Sequence, residues 1–590
     1  MEQCKTCQVN FEITDLDLKF YEKVSPVFKT TEGLSLQLKI PPPTLCPDCR
    51  QQRRLSFRNE RNLYKRKCDL CKKDIISIYS PDKRYIVYCS DCWWGDKWDF
   101  LEYGKNYDFN KSFFEQFNKL MLLVPRLSII NRNSQNSEYT NICEKNKNCY
   151  LLIESSDNED CLYSYWLQKS KNCIDCSFCN ECILVYESDN CENCYNLKFS
   201  QNCQNCIDSY FLQNCIACKN CFGCINLRQK EFYIFNKIYS KKEYFIKLNE
   251  LLNKNFHDFQ NTKNDIFQFF DKYPRKFAQI IQSENCSGDY ISNSKECLEC
   301  FHAQEAEYCK YSTHIWRNSK FIFDCDTVGM NSELAYECIN TAINSYNNKF
   351  CNRCWTVTDS FYSNDCDNSI NLFGCVSLRH KQYCILNKQY TKEEYEKLVP
   401  KIIEAMKSPK SPLTRGLGHP LDKGGLGDCE WGEFFPSSIS PFGYNETVAQ
   451  EYFPLTKEQA LRSTRGCNPL FKWSDYEPEF PHVEKIIPAN LLPDNINEIP
   501  DDILNWAVEC EITKKPFKII KPELDFYRKM NLPIPRKHPD QRHKDRMALR
   551  NPRKLWKRNC IKCNAEIQTT YSHERREIIY CEDCYLKNIY

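Results

Sequence analysis

The sequence predicts a multidomain, β-rich α+β protein: small Cys-rich modules at both ends flank a duplicated Cys/Asn-rich β-solenoid-like region with capping helices. Three observations carry that expectation. A doubled CxxC pattern near the start recurs with the same spacing at the end, a long motif occurs twice in the middle, and the cysteines between fall on a repeated step. Repeats of this kind are read before secondary structure, because they set the architecture.

Composition bounds the rest. The chain has 590 residues with 81 Lys+Arg against 78 Asp+Glu, long enough for several domains with cores of their own. Hydrophobic residues make up 42% and aromatics 14%, which excludes a wholly disordered chain, and only 15 glycines exclude collagen-like structure. The start, MEQCKTC, shows no secretory pattern. The most apolar stretch, Phe113 to Ile130, is interrupted by Glu115, Lys119 and Arg126, so no membrane span is expected. A soluble, cytoplasmic chain follows as the expectation. In a reducing compartment its 41 cysteines are metal ligands or buried thiols rather than disulfides.

The first duplication joins the two ends. Cys68-x2-Cys71-x17-Cys89-x2-Cys92 matches Cys560-x2-Cys563-x17-Cys581-x2-Cys584, with Tyr79-Ser80 opposite Tyr571-Ser572 and Arg58-Asn59 opposite Arg550-Asn551. Two thiolates three residues apart share one ion across a tight turn, and two such knuckles on strands make a zinc-ribbon, treble-clef-like module. Four free thiols or a redox CxxC are the alternative, and an Fe–S cluster fits the ligand type but not the ribbon context. Four thiolates leave no position for water, so such zinc folds a domain rather than catalysing. A second set in the first module is Cys4, Cys7, Cys46 and Cys49, whose counterparts in the last module are Cys510, Thr513, His538 and Gln541. Two potential ligands cannot close a structural tetrahedron, so three Zn2+ ions are expected, two at the start and one at the end.

The second duplication is FGCINLRQKEFYIFNKIYSKKEY from Phe222, repeated as FGCVSLRHKQYCILNKQYTKEEY from Phe373. Each copy runs into a helix with a capping box, Ser240-x-x-Glu243 and Thr391-x-x-Glu394. Upstream, Cys161, Cys182, Cys203 and Cys224 are 21 apart, as are Cys173, Cys194 and Cys215, which suggests stacked coils of about 21 residues. Asn precedes Cys at 148, 172, 190, 193, 202, 205, 214 and 220, and Asn tolerates the left-handed backbone of a coil corner. In the second copy only Cys354 and Cys375 keep the step. These cysteines read chiefly as packed small hydrophobes, with added metal or redox chemistry as the alternatives.

The expected division is therefore a double zinc module over 1–100, a helical connector over 101–138, solenoid repeats over 139–235 and 282–388 with a helical segment over 236–281 between them, a helix over 389–407, a Pro/Gly-rich linker over 408–502, and a zinc-ribbon module over 503–590.

Basic charge is concentrated beside the knuckles. Arg50, Arg53, Arg54, Arg58, Arg61 and Arg66 lie in the first module, and Arg542, Arg546, Arg550, Arg553 and Arg558 in the last. Such clusters bind phosphate backbones by counterion release, so nucleic acid, RNA or ribonucleoprotein above all, is the expected partner. The other reading is a solvated face, or one that forms salt bridges with an acidic neighbouring domain or a partner protein. No groove-reading motif is present. Dinucleotide-binding, P-loop, nucleophile-elbow and HExxH patterns are absent, and His302, His314 and His380 read as surface or core residues, so no enzyme and no catalytic residue is expected.

The segments CPDCRQQRRLSFRNERNLYKRKC, IYSPDKRYIVYCSDCWW, NCFGCINLRQKEFYIFNKIYSKKEY, PFGYNETVAQEYFPLTKEQAL and DDILNWAVECEIT resemble a family of large Cys-rich zinc-ribbon proteins from uncultured, small-genome bacteria. The resemblance covers nearly the whole chain. It implies little about activity, and the CoA-transferase-like label some members carry has no supporting residues here. The reading is a non-enzymatic, multi-zinc scaffold that binds RNA through its Arg-rich segments. A protein-interaction scaffold is the alternative, and a thiol-redox or transferase enzyme ranks behind both.

Overall fold

The computed structural model describes residues 1–29, 34–252, 256–341, 343–407, 430–462, 470–480 and 482–589. Two parallel β-solenoids make up its centre. In the first, Tyr165 pairs with Ser177, Ser177 with Asp189 and Asp189 with Gln201, so one coil is 12 residues. This corrects the expected 21-residue coil. The reason lies in the backbone: Asn148, Leu151, Glu154, Asp157 and Asp160, every third residue, are left-handed. Each left-handed residue turns a corner, three residues make a side, and four sides close a coil. A spacing of 21 is one coil plus three sides, so it samples the true three-residue period without being the stacking step.

The triplet explains the composition. The residue after each corner points inward, which is where Cys173, Cys176, Cys179 and Cys182 sit, one on each side of a coil and all buried. The eight Asn residues that precede Cys in the first solenoid (148, 172, 190, 193, 202, 205, 214 and 220) have positive φ, as the sequence reading expected. Inside, the thiols are bonded as well as packed. Cys173 Sγ donates to Lys171 O at 3.4 Å and to Cys182 O at 3.5 Å, and Cys176 Sγ to Ile174 O and Val185 O at 3.4 Å. Asn205 (φ 53°) tests the corner rule. Asn205→Gly is expected to be nearly neutral, whereas Asn205→Val should lower stability by about 1–2 kcal/mol, read as an earlier denaturation midpoint.

The second solenoid follows the same plan with a defect. Gly288 pairs with Cys300 at a step of 12, but Thr313, Asp326 and Ile339 pair at a step of 13. One corner has gained a residue in successive coils, with Arg317 and Asn318 both left-handed and Ile343 and Asn344 likewise. That insertion shifts the cysteine register and is why the sequence period fails there.

The two solenoids lie side by side and antiparallel, meeting along a column of left-handed corners. Asn202 accepts from Tyr290 Oη at 3.2 Å, Phe178 stacks on His302 at 4.4 Å, Trp166 faces His314 at 5.7 Å, and Glu154 accepts from Thr327 Oγ1 at 3.4 Å. Each solenoid ends in a hairpin and a helix, Lys241–Leu252 and Lys392–Lys407. Both predicted capping boxes form, through Ser240 with Glu243 and Thr391 with Glu394.

The rest of the chain wraps this pair crosswise. Helix Phe113–Leu123 enters the first solenoid in sequence yet packs on the second, with Phe113 5.0 Å from Tyr362 and 5.4 Å from Phe373. Helix Phe256–Phe270 precedes the second solenoid and packs on the first, where Ile266 and Phe270 join Phe211 and Phe222. The linker is a strap with buried anchors: Trp431, Phe434 and Phe435 pack into the core, and short helices span Val448–Tyr452 and Lys457–Leu461. Its residues 408–429, 463–469 and 481 lie outside the described residues. Among the described residues no helix is long and apolar enough to cross a membrane.

Candidate metal centres

Four knuckles share one local fold. Cys68 N–H donates to Lys73 O at 2.8 Å and Lys72 N–H to Cys68 O at 2.9 Å, with Lys72 left-handed. The same pair of bonds and the same left-handed residue recur at Cys4 with Gln8, at Cys560 with Asn564, and at Cys510 with Lys514. The turn aims two side chains at one point. Each partner pair opens a helix, Ser90–Trp94 after Cys89, Glu582–Ile589 after Cys581 and Pro47–Leu55 after Cys46, so helix N–H groups also face the thiolates.

Three thiol sets result: Cys4, Cys7, Cys46 and Cys49; Cys68, Cys71, Cys89 and Cys92; Cys560, Cys563, Cys581 and Cys584. In each, all four Sγ atoms lie within 4.8 Å of one another. A zinc tetrahedron with Zn–S of about 2.3 Å has S···S edges of about 3.8 Å. The observed Sγ···Sγ separations are 3.6 Å for Cys7 and Cys46, 3.8 Å for Cys71 and Cys89, and 3.6 Å for Cys563 and Cys581. The residues fit a tetrahedral ion. Burial pushes the Cys68 thiol up, but N–H groups of Cys71, Cys89 and Leu70 outweigh it and bring it down to about 7. Cys560 is brought down to about 6 by N–H groups of Cys581, Cys563 and Lys562 against the same burial. Thiolate, the liganding form, is favoured there.

The fourth knuckle keeps the turn without the ligands. Thr513 N–H points at Cys510 Sγ at 3.4 Å, while His538 Nδ1 accepts from Asp540 N–H and so serves as a helix cap. Gln541 bonds Asp545. Among the described residues, three sets could hold a metal ion, two in the first module and one in the last, which matches the count read from the sequence.

The arginines follow the second reading made of them, salt bridges to an acidic neighbouring domain. Rather than forming open strips for phosphate, most are buried in ion pairs that fasten the modules to the solenoids. Arg50 bonds Asp324 at 2.8 Å, Arg53 bonds Glu337 and Glu433 at 2.7 Å each, and Arg54 bonds Asp326 at 3.2 Å. Arg58 reaches Glu154 and Glu60. From the other end, Arg542 and Arg546 share Asp175 at 2.7 and 2.6 Å, and Arg550 bonds Asp189 at 2.6 Å. Arg61, Arg66 and Arg558 are partly accessible, but Arg66 bonds Asp69 at 3.1 Å and Arg558 donates to Ser572 O at 3.0 Å. Arg553 donates to His314 at 2.9 Å.

The partners were hidden from sequence reading because they lie hundreds of residues away on coil corners. Asp324, Glu337, Asp175 and Glu154 are all left-handed. The clamps are also crossed: the first basic helix, Pro47–Leu55, grips the second solenoid, and the last, Pro539–Ala548, grips the first.

Three histidines at this junction are held neutral. Burial, then Arg550 and Arg553, push His302 well down; burial, then Arg553, do the same to His314. Burial, then Arg61, bring His543 to about 4. Below pH ~6.5, and for His543 down to about pH 4, each binds a proton only when unfolded, so stability present above pH ~6.5 is lost as pH falls, by about 1.4 kcal/mol per pH unit per histidine. Urea midpoints between pH 7 and 5 should drop steeply, and His543→Gln should flatten the slope.

No protein-family model matches this chain, and no curated protein matches it. Among solved structures, one described as a "putative acetyltransferase" from Desulfovibrio desulfuricans G20 aligns over 45% of this chain and 68% of its own at 10% identity. Its TM-score is 0.10, and at that score the likeness carries no argument.

Proposed function

We propose that this protein is a non-enzymatic scaffold in which structural zinc holds small modules rigid so that they clamp two solenoids into one platform for a partner protein. One observation carries the reading: the basic helices seated beside the thiol sets spend their arginines on solenoid carboxylates, with Arg54 fully buried between Asp326 and Glu337. Zinc suits four thiolates at tetrahedral separations, and with every position occupied by sulfur the ions would supply folding energy rather than a reactive site.

A protein partner is favoured over RNA on charge. Guanidinium groups already paired inside the fold have no counterions to release. The outer face of the first solenoid instead shows Ile183, Tyr195 and Ile207 one coil apart and 43%, 45% and 38% exposed. Titrating the metal-loaded chain with single-stranded RNA at low salt tests the choice. No measurable binding is expected. Tight binding that falls steeply as salt rises would return the Arg-rich segments to the role first read from the sequence.

A further inference from the structure

The two halves of the duplication end alike but are covered differently. In the second solenoid the closing hairpin lies under residues 100–106, part of the stretch that follows the first ribbon. Lys105 N–H donates to Leu386 O at 3.0 Å, Asn387 Nδ2 donates to Phe100 O at 3.3 Å, and Lys388 Nζ donates to Asn106 Oδ1 at 2.7 Å. Phe100 and Leu101 pack against the thiol core, and Gly104 passes so close that a Cβ there would lie 2.8 Å from Asn387 O. In the first solenoid the equivalent residues are Phe235, Asn236 and Lys237, and among the described residues nothing covers them in this way. The Asn236 side chain bonds only Ile225, Phe235 O accepts no hydrogen bond, and the core ends at half-buried Leu227 and Tyr233.

The uncovered end has also diverged from its copy. Ile238, Phe245 and Ile246 are 69%, 45% and 52% exposed, where the copy carries Gln389, Glu396 and Lys397. From 237 to 247 the first end has four lysines against Glu243, whereas 388 to 398 balances three lysines with three glutamates. Glu243 is committed to capping Ser240, and among the described residues none of the four lysines forms an ion pair. Lys247 lies 5.4 Å over the Tyr239 ring. Exposed apolar side chains rimmed by charge of one sign mark an interaction site.

We propose that this end of the first solenoid binds a short acidic segment of a partner protein bearing an aromatic side chain and a glycine, as residues 100–106 cover the second solenoid. The proposal rests on the scaffold reading for the partner being a protein. The chemistry of the segment comes from the molecule itself. The stretch that covers the copy offers Asp96, Asp99 and Glu102, the rings of Trp98 and Phe100, and Gly104 at the close approach. The surplus of lysine at the first end favours such an acidic occupant more strongly than the balanced copy does.

A labelled peptide of residues 96–107, titrated by fluorescence anisotropy into the full-length, metal-loaded chain, tests this, since the second site is already filled from within. Saturable binding that weakens as salt rises is expected. In the peptide, Phe100→Ser and Gly104→Val should each weaken it about tenfold or more, the second because its side chain would meet the hairpin carbonyl. In the chain, Lys237→Glu with Lys242→Glu, and separately Ile238→Gln with Ile246→Lys, should do the same while leaving the melting temperature unchanged, because all four side chains are exposed. No binding, binding that survives Gly104→Val, or binding that both chain variants leave intact overturns the proposal. So does a chain that ignores the peptide but sediments with phosphatidylserine vesicles. A silent peptide together with no RNA binding would strike this surface alone and leave the scaffold reading standing.

Discussion

Asp175→Ala is expected to be the most damaging single substitution outside the thiol sets, lowering stability by on the order of 3–5 kcal/mol. Asp175 is fully buried at a left-handed corner of the first solenoid and accepts from both Arg542 and Arg546. Its removal strands two guanidinium groups away from water. Arg542 keeps Glu523 at 3.2 Å, but the chain from Glu523 through Arg542 to Asp175 and Arg546 loses its bridge. Asp175→Asn keeps an acceptor and should fall between wild type and alanine. Urea denaturation followed by near-UV circular dichroism reads the effect, and a midpoint unchanged in the alanine variant would show that the last module does not depend on this clamp. The same logic recasts a charge reversal of Arg53, Arg54 and Arg58. Read from the sequence, it would abolish RNA binding; read from the structure, it sets three glutamates against Glu337, Asp326 and Glu154 and should prevent folding.

Metal removal should have the larger effect overall. Elemental analysis is expected to find three zinc ions per chain, and Cys71→Ser to leave two. A structural zinc contributes about 10–16 kcal/mol in peptides that fold around it, far more than any one ion pair here. Chelation should melt the modules first. Hydrogen exchange should then rise in the basic helices Pro47–Leu55 and Pro539–Ala548 and along the seam of Phe178 with His302, while the inner strands of each coil exchange later. A chelator that leaves both melting and exchange unchanged would overturn the clamp.

Local chemistry made much of this legible. The CxxC spacing identified all twelve thiols that converge in the structure, because a knuckle is closed by residues within a few positions of one another. Asn before Cys marked the left-handed corners for an equally local reason. The coil length was misread because the ladder of cysteines 21 apart is one coil plus three sides, while the true step of 12 was also present, as in Cys161 and Cys173 or Cys182 and Cys194. The arginines were legible as a feature but their ion-pair partners were not, since charge density in sequence does not say where the opposite charge will lie.

From the amino-acid order alone came the duplications, the three ligand sets and the corner residues, each set by contacts or conformational preferences that span a few residues. Only the tertiary structure decided that the modules cross over, each gripping the solenoid of the other half. That crossing depends on groups several hundred residues apart, and nothing short of the assembled chain brings Arg54 to Asp326 or Arg542 to Asp175.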